Sequence, residues 1–180
     1  MKISLIKYLA VPLTVFTIAC DSDSDSGDVE SVAPPPIPLS DADYIDNLVP
    51  HHEMALQMAD AVIARGADPT VKEMAQEMKA KQAEEIATLR EIRQRVAGSD
   101  RIAAMRDPHA QLDVEEISAA SGPSADVAFL ENMIPHHAGA VSLSHRALDQ
   151  LSDPELIEMA DMTIVMQTRE MNEMLDMLGR

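Results

Sequence analysis

Asn47-Leu48-Val49-Pro50-His51-His52 recurs 85 residues later as Asn132-Met133-Ile134-Pro135-His136-His137. Outward from this hexapeptide, residues 44–93 align without a gap onto residues 129–178, and 12 of the 50 pairs are identical. Besides the Asn, Pro and two His they are Ala55/Ala140, Asp68/Asp153, Pro69/Pro154, Glu73/Glu158, Met74/Met159, Ala75/Ala160, Gln82/Gln167 and Glu85/Glu170. Four of the six histidines thus occupy equivalent places. One repetition at so long a period indicates two supersecondary units sharing a scaffold, not a solenoid.

The composition decides what each unit is made of. Beyond Phe16 the only aromatic residues are Tyr44 and Phe129, themselves a repeat pair. A core of Leu, Ile, Val, Ala and Met, with few β-formers and no strongly alternating stretch, predicts an all-α fold. Each unit reads as helix, short turn, helix. Ser40 and Ser124 are the expected N-caps of the first helices, and Asp68-Pro69 and Asp153-Pro154 supply an N-cap and a first-turn proline for the second. Short turns at Gly66 and at Leu151-Ser152 make each unit an antiparallel hairpin, and two hairpins make a four-helix bundle with a pseudo-twofold axis. Between repeat 1 (44–93) and repeat 2 (129–178) lies a linker, 94–128, whose Gly98, Pro108, Gly122 and Pro123 mark a long joint with room for short helical pieces. Pro50 and Pro135 fall inside their helices, so a kink or restart is expected just before each histidine pair.

The N-terminal 43 residues have a different character. Lys2 and Lys7 precede an apolar run from Tyr8 to Ala19, the parts of a signal peptide over residues 1–19. Thr17-Ile18-Ala19-Cys20 resembles a bacterial lipobox, with Cys20 the lipidated residue; ordinary signal-peptidase cleavage is the alternative. Residues 20–43 read as a lipidated Cys and an acidic, Pro-rich tether with too little apolar surface to fold, placing the bundle at 44–180. As the only cysteine, Cys20 makes no intramolecular disulfide. By resemblance to Gram-negative sorting, Asp21 after the Cys implies an exported, periplasmic protein held at the inner membrane. The 14 basic residues, less Lys2 and Lys7, leave 12 against 31 acidic ones, a net of −19. Such a charge disfavours nucleic acid and anionic lipid headgroups as partners and suits cations.

At about 100° per residue, His52 shares a stripe with Leu48, Ala55 and Ala59, and His137 shares one with Met133, Ala140 and Ser144. These two are the expected inward histidines, drawn towards one another around the axis, while His51 and His136 lie on the flank. An inward histidine is commonly only a hydrogen-bonded core residue; four at duplicated positions in an acidic, Met-rich chain give a metal site comparable weight. Imidazole suits copper, zinc, iron and nickel, and thioether sulfur adds a preference for copper(I). His51, Met54 and Met58, at i, i+3 and i+7, present one nitrogen and two sulfurs on one face. Gly139 and Leu143 replace the two methionines in the second copy, so that flank is not duplicated. The candidate metal ligands are therefore His51, His52, Met54, Met58, Met133, His136 and His137. The stripe Met159, Met162, Met166, Met174 and Met177 reads first as packing, with a thioether face as the sharper alternative. Gln82/Gln167 and Glu85/Glu170 read first as exposed or bundle-end polar pairs, with hydrogen bonding to the histidines as the sharper alternative. His109 and His145 have no repeat partner and no assigned role.

Asn132-Met133-Ile134-Pro135-His136-His137, with Ala140 and Val141 behind it, is similar to the signature of the bacterial family known as domain of unknown function 305, and the duplicated Pro50-His51-His52 copy carries the same mark. That resemblance implies a ferritin-like four-helix bundle, export and, for some members, copper binding or copper tolerance, with His51, His52, His136 and His137 as the motif positions. Three functions compete: a membrane-tethered copper-binding protein that sequesters or delivers the ion; a non-metal structural or partner-binding lipoprotein; and a ferritin-like di-metal oxidase. The oxidase reading is weakened because no His has Asp or Glu three residues before it, as Glu-x-x-His sites require. No nucleophile elbow or phosphate loop is present, so the chain is expected not to be an enzyme.

Overall fold

The computed structural model describes residues 39–102 and 108–179, without the side chains of 108–112. The expected signal peptide, the Cys20 anchor and nearly all of the tether lie outside the described residues. Five helices and no strand are found among those described: α1 (Asp41–Arg65), α2 (Pro69–Ala97), α3 (Pro108–Ala119), α4 (Pro123–Ala147) and α5 (Pro154–Met177). None is long and apolar enough to cross a membrane. The bundle reaches further towards the N-terminus than the repeat alone shows, because Asp41–Asp43 form the first turn of α1 and the amide of Leu39 donates to Gln150 Oε1 at 2.8 Å. Likewise the joint narrows to residues 98–122, since α2 runs to Ala97 and α4 starts at Pro123.

Capping follows the sequence in three helices of four. Ser40 and Asp43 form a capping box at α1, while Asp68 and Asp153 cap α2 and α5 ahead of their prolines. Ser124 is not a cap. The N-cap of α4 is Gly122 at φ 60°, a backbone conformation that favours glycine, and Pro123 occupies the first helical position. Pro50 and Pro135 do not restart their helices, which run unbroken through them. One turn earlier, the repeated Asn47 and Asn132 side chains donate to the carbonyls of Asp43 (2.7 Å) and Ala128 (2.9 Å).

α1 packs on α2 and α4 on α5, the two hairpins meet through α1 and α4, and α3 lies against both of those helices. Falling partner numbers show the antiparallel register: Asp46 with Arg93, Glu53 with Arg90 and Asp60 with Lys79 along α1–α2. The hairpin turns are held by each other's first helix. Buried Asp126 accepts from the amides of Ala67 (3.0 Å) and Asp68 (2.9 Å), and Asp41 accepts from those of Ser152 (2.8 Å) and Asp153 (3.2 Å). Asp41 and Asp126 are also 85 apart, so the duplication extends to this reciprocal clamp.

The apolar interior is split. One cluster holds Met58, Val62, Met74, Met78, Phe129, Met133 and Met174; a second holds Tyr44, Ile45, Leu48, Leu89, Ile92, Leu156 and Ala160. On each long helix the residues between the clusters are polar: His51 and His52, Gln82 and Glu85, His136 and His137, Thr163, Gln167 and Glu170. Burying such groups opposes folding unless they are partnered. A polar layer across the middle of a bundle therefore needs a reason beyond packing.

Candidate metal site in the histidine layer

His52 and His137 are fully buried, as the helical stripe predicts. They do not face one another as the main pair. Each turns to the second helix of its own hairpin: His137 Nε2 lies 2.9 Å from Glu170 Oε2 in a hydrogen bond, and His52 Nε2 lies 2.9 Å from Glu85 Oε2, off the best hydrogen-bond direction. The flanking pair meets instead. The His51 and His136 rings have centroids 3.7 Å apart and are tilted by 34°, whereas the neighbours within each pair stand 6.2 and 6.3 Å apart. α1 and α4 cross on their histidine turns, and this crossing selects the flank over the inward stripe.

For Glu85 and Glu170 the favoured expectation of exposed or bundle-end places is corrected: the fold sets each beside a buried histidine. They lie mid-bundle and are partly buried, Glu170 more deeply than Glu85. Their repetition, three residues after Gln82 and Gln167, was the available signal. An ionised carboxylate only accepts, so in the His137–Glu170 hydrogen bond Nε2 is the donor. His52 Nδ1 and His137 Nδ1 are both buried without a hydrogen-bond partner in the protein. Burial opposes the charge on Glu170, but the His137 hydrogen bond, with the positive charge of Lys81 and Arg169, brings its pKa below the ordinary glutamate value.

Burial, reinforced by the neighbouring His51, His137 and His52, holds His136 well below the usual histidine pKa of 6.5, opposed only by a marginal contact with the His51 backbone. The imidazole is thus neutral at neutral pH, the form that binds metal. An unfolded chain takes up a proton at this residue below pH 6.5 that the native protein refuses, so this contribution to stability is present above 6.5 and lost as pH falls. The Glu170 contribution, from a depressed acid, is lost in turn as pH falls below 4.5. Urea midpoints of the metal-free protein are expected to decline from about pH 6.5 downward, with a shallower decline in His136→Gln; a midpoint that climbs on acidification to pH 5.5 would contradict the assignment.

The methionines divide. Met58 and Met133 are fully buried in the first apolar cluster, and Met54 packs against its edge. A Cβ at Gly139, the repeat partner of Met54, would stand 3.3 Å from His51 Nε2, so glycine there leaves room for the His51 ring. In α5 only Met174 is fully buried. Met162 and Met177 are 47% and 38% exposed, whereas Met159 packs against the second cluster, so packed and surface methionines alternate along the stripe. Met171, outside that stripe, packs against the first cluster. Among the described residues no three His, Cys, Asp or Glu groups form a ready metal cage. The four imidazoles are gathered, but not arranged around a point.

A family model described as Domain of unknown function (DUF305) matches residues 41–178. The chain belongs to this family. Among solved structures the DUF305 chain is similar to a DUF305 fragment from Deinococcus radiodurans, with 27% identity and a TM-score of 0.70 over 82% of this chain and 99% of that one. It is also similar to CopM in the Cu(I)-bound form, at 25% identity and a TM-score of 0.66, covering 76% of this chain and 93% of that one. A DUF305 protein from Streptomyces coelicolor, at 20% identity and a TM-score of 0.69 over 78% of this chain and 91% of that one, shares the fold. No curated protein matches the chain in sequence.

Proposed function

We propose that this DUF305 protein binds copper in the histidine layer, and that it does so as an exported protein tethered through Cys20, sequestering the ion or passing it on. The observation that carries the reading is the pair of buried imidazoles whose Nε2 atoms face Glu85 and Glu170 and whose Nδ1 atoms have no partner. Carboxylate-oriented histidine is the usual second layer of a metal centre, fixing the tautomer and raising the basicity of the other nitrogen. Neutral nitrogen donors with nearby thioether suit copper better than the hard oxygen-seeking cations. Met54 stands in α1 where its repeat partner in α4 is Gly139, so a thioether is offered by one hairpin only. The copper-bound state of the similar CopM fold supports the same choice of ion. Ligation requires the stacked His51 and His136 rings to turn, since the imidazoles do not already surround a point.

Competition titration of the purified protein with a chromophoric copper(I) chelator tests this directly. Saturable uptake tighter than micromolar is expected, and its absence overturns the reading. Glu85→Gln and Glu170→Gln should each weaken copper binding by about 10- to 100-fold while leaving the helical circular dichroism unchanged. Equal affinities in wild type and both variants would instead place the copper outside the histidine layer, whose histidines would then only fill the core.

A further inference from the structure

The hairpins touch closely through α1 and α4, whereas α2 and α5 stand apart over their middle turns and leave a narrow cleft. Gln82, Glu85, Gln167 and Glu170 line it, with Met166 and Lys81 on its two sides. It is the face of the molecule on which both histidine-bound carboxylates are reached. Gln82 and Gln167 are each 3% exposed, and the Oε1 atom of each is buried with no hydrogen-bond partner in the protein. Two unpartnered amide oxygens beside two carboxylates favour the passage of a cation, because each is an acceptor that folding has stripped of water.

The two halves of this cleft are not equivalent. Lys81 Nζ lies 3.8 Å from Glu170 Oε1 and supplies a positive charge there. The repeat partner of Lys81 is Met166, so the corresponding place beside Glu85 carries a thioether and no charge. Glu85 also borders a second, wider hollow with Glu155, Glu158, Met159 and Met162. Carboxylates and sulfur thus lead from the surface to Glu85, whereas an ammonium stands over Glu170.

We propose that the α2–α5 cleft is the port through which a soft monovalent cation reaches the histidine layer, entering over Glu85 by way of Met162 and Met166, while Lys81 closes the pseudo-equivalent way over Glu170. This rests on the copper-binding reading above and names its route and gate. The carboxylate of Glu85 draws the ion in, and the exposed Met162 sulfur and the half-buried Met166 sulfur hand it on past Glu85 towards the histidine layer.

Anaerobic stopped-flow mixing of the full protein with copper(I) in acetonitrile, followed by ultraviolet charge-transfer absorption, separates route from site. Met162→Leu/Met166→Leu keeps the volume and removes both sulfurs; uptake is expected to slow by roughly tenfold while the stoichiometry at the end point stays that of wild type. Lys81→Gln is expected to speed uptake by about three- to tenfold, the scale of one unit charge acting across a partly wet cleft. Lys79→Gln, the same charge change outside the cleft, and Met177→Leu, at the far end of the bundle, should leave the rate within about twofold. Rates unchanged in both cleft variants, or shifted equally by Lys79→Gln, overturn the port even though copper still binds. No copper uptake by wild type overturns the underlying site instead.

Discussion

Replacing the stacked pair, His51→Ala with His136→Ala, is expected to weaken copper binding by more than about 100-fold, beyond the effect of either carboxylate substitution, because two nitrogen donors are removed rather than reoriented. The two rings sit 3.7 Å apart at the crossing of α1 and α4, where both hairpins contribute to one place. Each single substitution should cost much of the same affinity, since one imidazole alone leaves the opposite hairpin without a donor. The fold should survive: His51 and His136 are only partly buried, and the buried His136 ring nitrogens without hydrogen-bond partners cost free energy in the native state. The double variant is therefore expected to melt within a few degrees of the metal-free wild type, yet to gain no stability when copper is added, whereas wild type gains it by mass action. Copper-induced stabilisation persisting in the double variant would place the metal elsewhere.

The second large effect concerns the clamp that sets this crossing. Asp126→Ala is expected to lower stability by about 3 kcal/mol, because it leaves the Ala67 and Asp68 amides without their acceptor at a partly buried turn. Gly66 reports on the same contact from the other side. Its φ of −69° is ordinary, so alanine is not opposed by backbone strain. Yet an added Cβ would stand 2.2 Å from Asp126 Oδ1 and 2.9 Å from the Val62 carbonyl. Gly66→Ala should therefore cost about 2 to 3 kcal/mol by displacing the carboxylate. Since both substitutions break one contact, the double variant should cost clearly less than their sum. The equivalent Asp41→Ala, at the more open turn, should cost about 1 kcal/mol. Chemical denaturation of the four variants measures these values, and strict additivity of Gly66→Ala and Asp126→Ala would show that the clash is not with the Asp126 carboxylate.

The two halves of the chain reveal how far a repeat can be read. Tyr44 and Phe129 are equivalent, both fully buried, but only the tyrosine has a hydroxyl, and it bonds Ser144 Oγ at 2.7 Å across α1–α4. Ser144 in turn replaces Ala59. Such paired departures from the repeat, like Met54 for Gly139 and Lys81 for Met166, mark where the halves differ in chemistry. Their consequences needed the partner helix, because each departure is answered in the opposite hairpin. Ser124 shows the converse. A serine near a helix start is a good cap by composition, but Gly122-Pro123 ahead of it offered a turn and a first helical residue that started α4 two residues earlier.

Local periodicity in the sequence determined the all-helical fold, the two hairpins, their capped turns and the burial of His52 and His137, since each depends on a 3.6-residue repeat or on residues within one turn of each other. Tertiary structure decided which imidazoles meet, and what holds the others. The crossing of α1 and α4 brings His51 to His136, and the packing of each hairpin on itself brings Glu85 to His52 and Glu170 to His137. Those contacts depend on the relative rotation of packed helices, a quantity that the sequence of either helix does not contain.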